Sequence, residues 1–184
     1  FRPNRLVPPF DLQGHIPFVA WLVKELQPAT FVQLGTQSGN LYFAACQTVA
    51  ENSLPTRCWA VGTWQAEELA QRHSVQQEAG ASDYNRQHFG AFSGLLRMGD
   101  AQALPRFAPG SIDLLLIDGR YSPETVRNEY ESWRDRLSDH AVVLLVGIGQ
   151  ADSGAAALWQ QLQPQYPHLA FAHAQGLGVL AVGR

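Results

Sequence analysis

The chain has 184 residues, 46% of them hydrophobic, with 16 Gly and 11 Pro, which suits one domain with a full-sized core and argues against disorder. Charged residues make up only 16%, against roughly 25% in ordinary globular chains. The formal net charge is −3 and the cations are 12 Arg and the single Lys24, with no basic run, which disfavours a nucleic-acid binder.

Residues 1–10, FRPNRLVPPF, read as a linker ahead of a domain over 11–184, the whole being a domain cut from a longer protein. In 15–26, Ile16, Val19, Ala20, Val23 and Leu26 share a helical face, and Pro28 follows its end. Residues 31–34 are a short buried strand running into Gly35-Thr36-Gln37-Ser38-Gly39, with a helix over about 40–50 behind it. RCWAV at 57–61 is a second strand, and the polar segment 65–87 carries helical stretches. Cys46 and Cys58 cannot build a disulfide framework; in these apolar stretches they read as buried thiols of a reducing, cytoplasmic compartment.

Residues 95–98 form a third strand ending in Gly99-Asp100, and IDLLLI at 112–117 forms the fourth and clearest, ending in Asp118-Gly119. Ser122-Pro123-Glu124 then starts a helix, with Ser as cap, Pro in the first turn and an acid beside it. Val126, Tyr130, Trp133 and Leu137 are its buried stripe, and AVVLLV at 141–146 is the fifth strand. Ala155, Leu158, Trp159 and Leu162 lie on one face of another helix. The closing strands, 169–172 and 177–182, are joined by His-Ala-Gln-Gly alone and must be antiparallel, since a parallel crossover needs about a dozen residues. The pattern predicts an α/β doubly wound, mostly parallel sheet with a C-terminal antiparallel hairpin. Residues 153–183 lack Asp, Glu, Lys and Arg, yet Gln, Pro, His and Gly break the stretch too often for a membrane span.

In such sheets ligands bind beyond the carboxyl ends of the strands. That rule selects the Gly35–Gly39 turn, whose glycines admit positive φ and let backbone N–H groups approach a ligand, then Asp100 and Asp118. Asp118 has a second reading as a turn residue. Asp113 begins its strand, at the opposite end, and is expected to be structural. His15 reads either as a base facing the site or as a helix-start residue bonded to nearby backbone. His73, His88, His140 and His168 have no ligand-like spacing and read as surface, and His173 falls in the closing turn. No serine has a nucleophile-elbow context. Trp21, Trp133 and Trp159 read as core residues of helical stripes, and Trp64 as a ligand contact.

Four blocks, from GHIPFVAWLVKELQPATFVQLGTQSGNLYFAACQTV through CWAVGTW and GSIDLLLIDGRYSPETVRNEYESWRDRLS to YPHLAFAHAQGLGVLAVG, resemble class I S-adenosylmethionine-dependent methyltransferases. More narrowly, they resemble the methyltransferase domain often fused to bacterial glycosyltransferases of surface-polysaccharide synthesis. The resemblance implies a seven-stranded sheet, S-adenosylmethionine as cofactor, and a small-molecule or glycan acceptor beside a fused glycosyltransferase domain. It assigns the methionine part of the cofactor to Gly35, Thr36, Gln37 and Gly39. It sets Gly62 at the ribose position, Thr63 and Trp64 beside the adenine, Asp100 and Ala101 at the adenine edge, and Asp118 near the transferred methyl.

Five positions depart from that pattern. Relatives carry Glu or Asp where this chain has Gln33, Asp where it has Gly62, His where it has Tyr121, and His-Asp where it has Val146-Gly147. A hydrogen bond to a charged acceptor contributes about 1.5–3 kcal/mol. Losing the ribose acid alone therefore weakens cofactor binding by about 10–150-fold. One carboxylate with a phenol is a poor divalent-cation site, so no metal is expected. Two readings stay open: a methyltransferase with Asp118, then His15, as base, or a fold kept as a scaffold after losing its site. A nucleotide or nucleotide-sugar binder is a third.

Overall fold

The computed structural model describes residues 1–36, 38–62, 74–119 and 121–183, with 74–79 as backbone alone. Seven strands form one sheet: β1 (Thr30–Leu34), β2 (Arg57–Val61), β3 (Ser93–Leu96), β4 (Ile112–Asp118), β5 (Leu137–Val146), β6 (His168–Phe171) and β7 (Leu177–Ala181). Their order is β3-β2-β1-β4-β5-β7-β6, parallel except that β7 runs antiparallel to both β5 and β6. The chain leaves β1 in one direction to β2 and β3 and returns on its other side to β4. The point of reversal, between β1 and β4, is where such sheets place a ligand.

Period-two alternation along the strands divides the core into two layers. Phe31, Leu114, Leu116 and Leu144 face one side, under α1 (Ile16–Leu26), α2 (Asn40–Glu51) and α3 (Ser74–His88). Val32, Leu34, Leu115 and Ile117 face the other, under the short α4 (Asp100–Ala103), α5 (Pro123–Trp133) and α6 (Gly154–Leu162). Every residue of β4 is buried, as a strand covered on both faces must be. Helix α5 starts as its sequence dictates: Ser122 Oγ accepts from Thr125 N at 3.2 Å, with Pro123 in the first turn.

The strand pattern read from the sequence holds, with shifts at its weaker places. β3 begins at Ser93 and ends at Leu96, two residues before the expected span, because a polar network draws the chain in. Ser93 Oγ donates to Asn85 Oδ1 at 2.5 Å and lies 2.6 Å from Tyr42 Oη. β5 starts at Leu137, so its exposed Asp139 and His140 precede the apolar run that marks it in the sequence. Trp21 is a correction: it is 55% exposed, on the outer side of α1, and only Trp133 and Trp159 belong to the core. The predicted strand positions of Cys58 and helical position of Cys46 bury both thiols, and both are free. Residues 1–10 form no helix or strand, and they hydrogen-bond to α2.

Asp113 lies at the amino end of β4, away from the ligand edge, and ties two strands together. Its Oδ2 accepts from Ala29 N at 2.6 Å and Thr30 N at 3.4 Å, while Oδ1 stands 2.9 Å from His140 Nε2. Replacing Asp113 with Ala leaves the Ala29 N–H without that acceptor. The expected loss is about 1–3 kcal/mol of unfolding free energy, read as a lower urea midpoint at unchanged slope.

Candidate functional site at the carboxyl edge of the sheet

Strand register lines up the candidate residues. Leu34 stands beside Val61 on one side and Ile117 on the other, Val61 beside Leu96, and Asp118 beside Val146. The next residues along β2 and β1, Gly62 and Gly35, therefore form a row with Asp118 and Val146. Two bonds continue the ladder: Gly35 N donates to Val61 O at 3.0 Å and Gly62 N to Leu96 O at 3.2 Å.

The turn after β1 is shaped by two left-handed glycines, Gly35 at φ +73° and Gly39 at φ +72°. A Cβ on Gly35 would stand 3.0 Å from the Asp118 Cβ, so the turn backbone rests directly on that acid. Gly39 N donates to Thr36 O at 2.7 Å, closing the turn, and the helix α2 leaves from it.

A small cleft lies between this turn and β4, with Gln33, Gly35, Thr36, Ser38 and Asp118 in its wall. Gln33 is 4% exposed, and its Nε2 donates to Gly35 O at 3.1 Å. A carbonyl only accepts, so that bond fixes which way the amide points. It leaves Gln33 Oε1 buried without a protein partner; Thr36 Oγ1, on a residue 6% exposed, is in the same condition. Leaving a buried polar atom unmet costs about 1–3 kcal/mol. The cleft thus presents one acceptor that wants a donor and one hydroxyl that can take either.

Among the described residues, three acids lie near this edge. Asp118 is buried at the end of β4, and Asp100 begins α4 just past β3. Glu129, on α5, has its carboxyl beside that of Asp100. Burial, then the neighbouring Asp100 carboxyl and Asp118, push the Glu129 carboxyl up to about 8, and burial raises Asp100 as well. The pair holds one proton between its two carboxyls near neutral pH. Sequence reasoning missed Glu129. It lies three residues after Val126 on the flank of the α5 stripe, a position that periodicity marks as half-buried without revealing its partner.

The other expected residues are placed as follows. Gln37, Thr63 and Trp64 lie outside the described residues, as does His73. Ala101 is exposed on α4. Gly62 is half-buried, and a Cβ added there would meet nothing within 4 Å. Tyr121 is exposed, and Gly147 has φ +96°, which an Asp would adopt only under strain. Among the described residues no three His, Cys, Asp or Glu side chains converge as a metal site. His15 is fully buried and faces the closing hairpin: its Nε2 lies 3.0 Å from Ala174 O, and its ring packs 4.7 Å from that of His173. Burial lowers its pKa and keeps the imidazole neutral. His15 and Asp118, the two candidate bases, therefore do not meet in the cleft wall.

Glu129 gives a pH signature. Its pKa is raised on folding, so its contribution to stability is full below about 4.5, the unfolded value, and lost as pH rises through about 8. Melting temperatures of the wild type and Glu129→Gln should diverge across that window, the wild type losing ground to the variant as pH rises.

The sequence family described as methyltransferase domain matches residues 32–145. An uncharacterized protein of Sinorhizobium fredii is 37% identical over 172 residues, which span 92% of this chain and 19% of that protein. The chain thus corresponds to about a fifth of that relative's length. Among solved structures, a Geobacter sulfurreducens methyltransferase superposes with a TM-score of 0.66 at 13% identity, covering 92% of this chain and 78% of the other. The SAH-bound methyltransferase of Podospora anserina gives 0.65 at 11% identity, covering 96% and 89%. The O-methyltransferase TomG of Streptomyces achromogenes, solved with SAM, gives 0.61 at 13% identity, covering 95% and 88%.

Proposed function

Because the chain belongs to the methyltransferase-domain family, we propose that it binds S-adenosylmethionine at the carboxyl edge of the sheet and methylates a hydroxyl acceptor. The observation that carries this reading is the pair of buried, unmet polar atoms under the glycine turn, Gln33 Oε1 and Thr36 Oγ1. An ammonium group is the donor that Gln33 Oε1 lacks, and a carboxylate or ammonium suits the Thr36 hydroxyl. The backbone of Gly35, Thr36, Gln37 and Gly39 would hold the amino-acid end, with Gly62, Thr63 and Trp64 along the ribose and adenine and Asp100-Ala101 at the adenine edge.

The cofactor, when bound, supplies an electrophilic methyl group on a sulfonium sulfur. The protein's own part is alignment and proton removal. Asp118, buried in the cleft wall, takes the proton that a hydroxyl acceptor gives up. His15, the other candidate base, lies outside the cleft wall and braces the closing hairpin through Ala174 in this reading. No metal is assigned a part. A sugar or polysaccharide-related acceptor, with a glycosyltransferase domain elsewhere in the same polypeptide, is the narrower reading, supported by the sequence blocks and by a relative far longer than this chain. Two buried free thiols fit a cytoplasmic setting.

A non-catalytic scaffold is the second reading, favoured by Gly62 and Gly147, which leave two acid positions of the pattern without a carboxylate. Calorimetric titration with S-adenosylhomocysteine separates the two. On the enzyme reading the wild type binds, and Gln33→Leu weakens binding by about 10–150-fold, the worth of one hydrogen bond between a neutral and a charged group. Gly62→Asp, which has room for its side chain, tightens binding by a similar factor. Silence at millimolar ligand in all three proteins and in a chain lacking residues 1–9 overturns the cofactor reading and leaves the scaffold.

A further inference from the structure

The segment that precedes the first helix is bonded to the glycine turn and to α2, and its Leu12 lines the cleft. Asn4 N donates to Gln47 Oε1 at 2.8 Å, and Gln47 Nε2 donates to Arg2 O at 3.0 Å, so the chain is pinned along α2 from its start. Farther along, Val7 N donates to Asn40 Oδ1 at 3.1 Å, while Asn40 Nδ2 donates to Val7 O at 2.7 Å and Pro9 O at 3.2 Å. Asn40, the first residue of α2, thus treats the segment as a strand partner would. Arg5 Nη1 donates to Ser38 O at 2.7 Å, inside the glycine turn, and its guanidinium lies 4.8 Å from the Phe43 ring centre and 5.7 Å from that of Tyr84. Leu12 completes the wall that Gln33 and Asp118 share.

The space left in the cleft is about 10 Å³, roughly the room of one water. It does not admit an aminocarboxypropyl group, although Gln33 Oε1 and Thr36 Oγ1 are the atoms such a group would meet. Either the orphan atoms serve nothing or the segment moves. Among the described residues the bonds that hold it run to three side-chain amides, Gln47, Asn40 and Gln175, the last donating to Asp11 Oδ2 at 2.6 Å, and to the Ser38 carbonyl, and each can be exchanged for water once the segment lifts.

We infer that residues 4–12 are a displaceable strap, latched by Arg5 on Ser38 and by the Asn40 amide, that must swing off the glycine turn before the cleft can take the amino-acid end of its ligand. The inference rests on the reading of this cleft as the cofactor site. The latched form lowers apparent affinity by the fraction of molecules that are open, so unlatching raises affinity and association rate together.

The test compares wild type, a variant lacking residues 1–9, and Arg5→Ala, by stopped-flow and calorimetric binding of S-adenosylhomocysteine. The deletion should bind about tenfold tighter or more, with a faster association rate, and Arg5→Ala should shift both in the same direction to a smaller degree. Trypsin gives a reading on the intact chain. Arg5-Leu6 is the cleavable bond of the segment, because Pro3 follows Arg2, and saturating ligand should speed its cleavage. If the deletion does not fold, Arg5→Ala and the protease rate decide. Weaker or unchanged binding in the variants, or slower cleavage with ligand, overturns the strap while leaving the cofactor reading intact. Silence in wild type and both variants overturns both, whereas a silent wild type beside a binding deletion supports both.

Discussion

Parallel pairing of β1 with β4 sets Leu34 beside Ile117, so the next residue of β1 meets the last residue of β4. Glycine suits that position, because a side chain at its φ of +73° is strained and its Cβ would stand 3.0 Å from that of Asp118. The glycine turn, the floor of the cleft and the position of the buried acid all follow from that one contact. The polar edge of β1 depends on it as well, since Gln33 is held by the carbonyl of Gly35. Any side chain at 35 would push the turn away from β4 and release the amide whose oxygen faces the cleft.

The parts of the fold that buried apolar area dictates were legible. IDLLLI and AVVLLV announce central strands because both faces of a parallel strand are covered, and the short link before β7 forces an antiparallel return. Parts that depend on polar contacts between distant residues were not. Ser93 enters β3 through Tyr42 and Asn85, residues 51 and 8 positions away. Glu129 acquires its role from Asp100 across two elements, and Asn40 from residues 33 and 31 positions upstream. Hydrophobic periodicity carries none of this. It also placed Trp21 inside, since the helical spacing of α1 does not say where the apolar stripe stops.

The low charge of the chain has a local meaning at the ligand edge. Gln33 offers an amide oxygen in place of a carboxylate, and Gly62 offers open space. Of the acids that remain, Glu129 keeps its proton up to about pH 8. Among the described residues, Glu129 therefore adds no charge to the edge near neutral pH, which leaves Asp118 and Asp100 as its acids. A ligand bearing a positive centre meets a weaker attraction here than a fully acidic edge would give, and hydrogen-bond geometry has to supply more of its selectivity.

Cys46 and Cys58 are buried on α2 and β2, and the Cys58 thiol is pushed up by the neighbouring Cys46 thiol and by burial. A thiol needs both access and a thiolate fraction to react, and Cys58 lacks both. The native chain is thus nearly silent toward maleimides and mild oxidants while folded. A cysteine introduced on the surface, on the strap at position 6 for example, would be a unique attachment point, so that a dye there could follow the segment's motion without first stripping the protein of its own thiols.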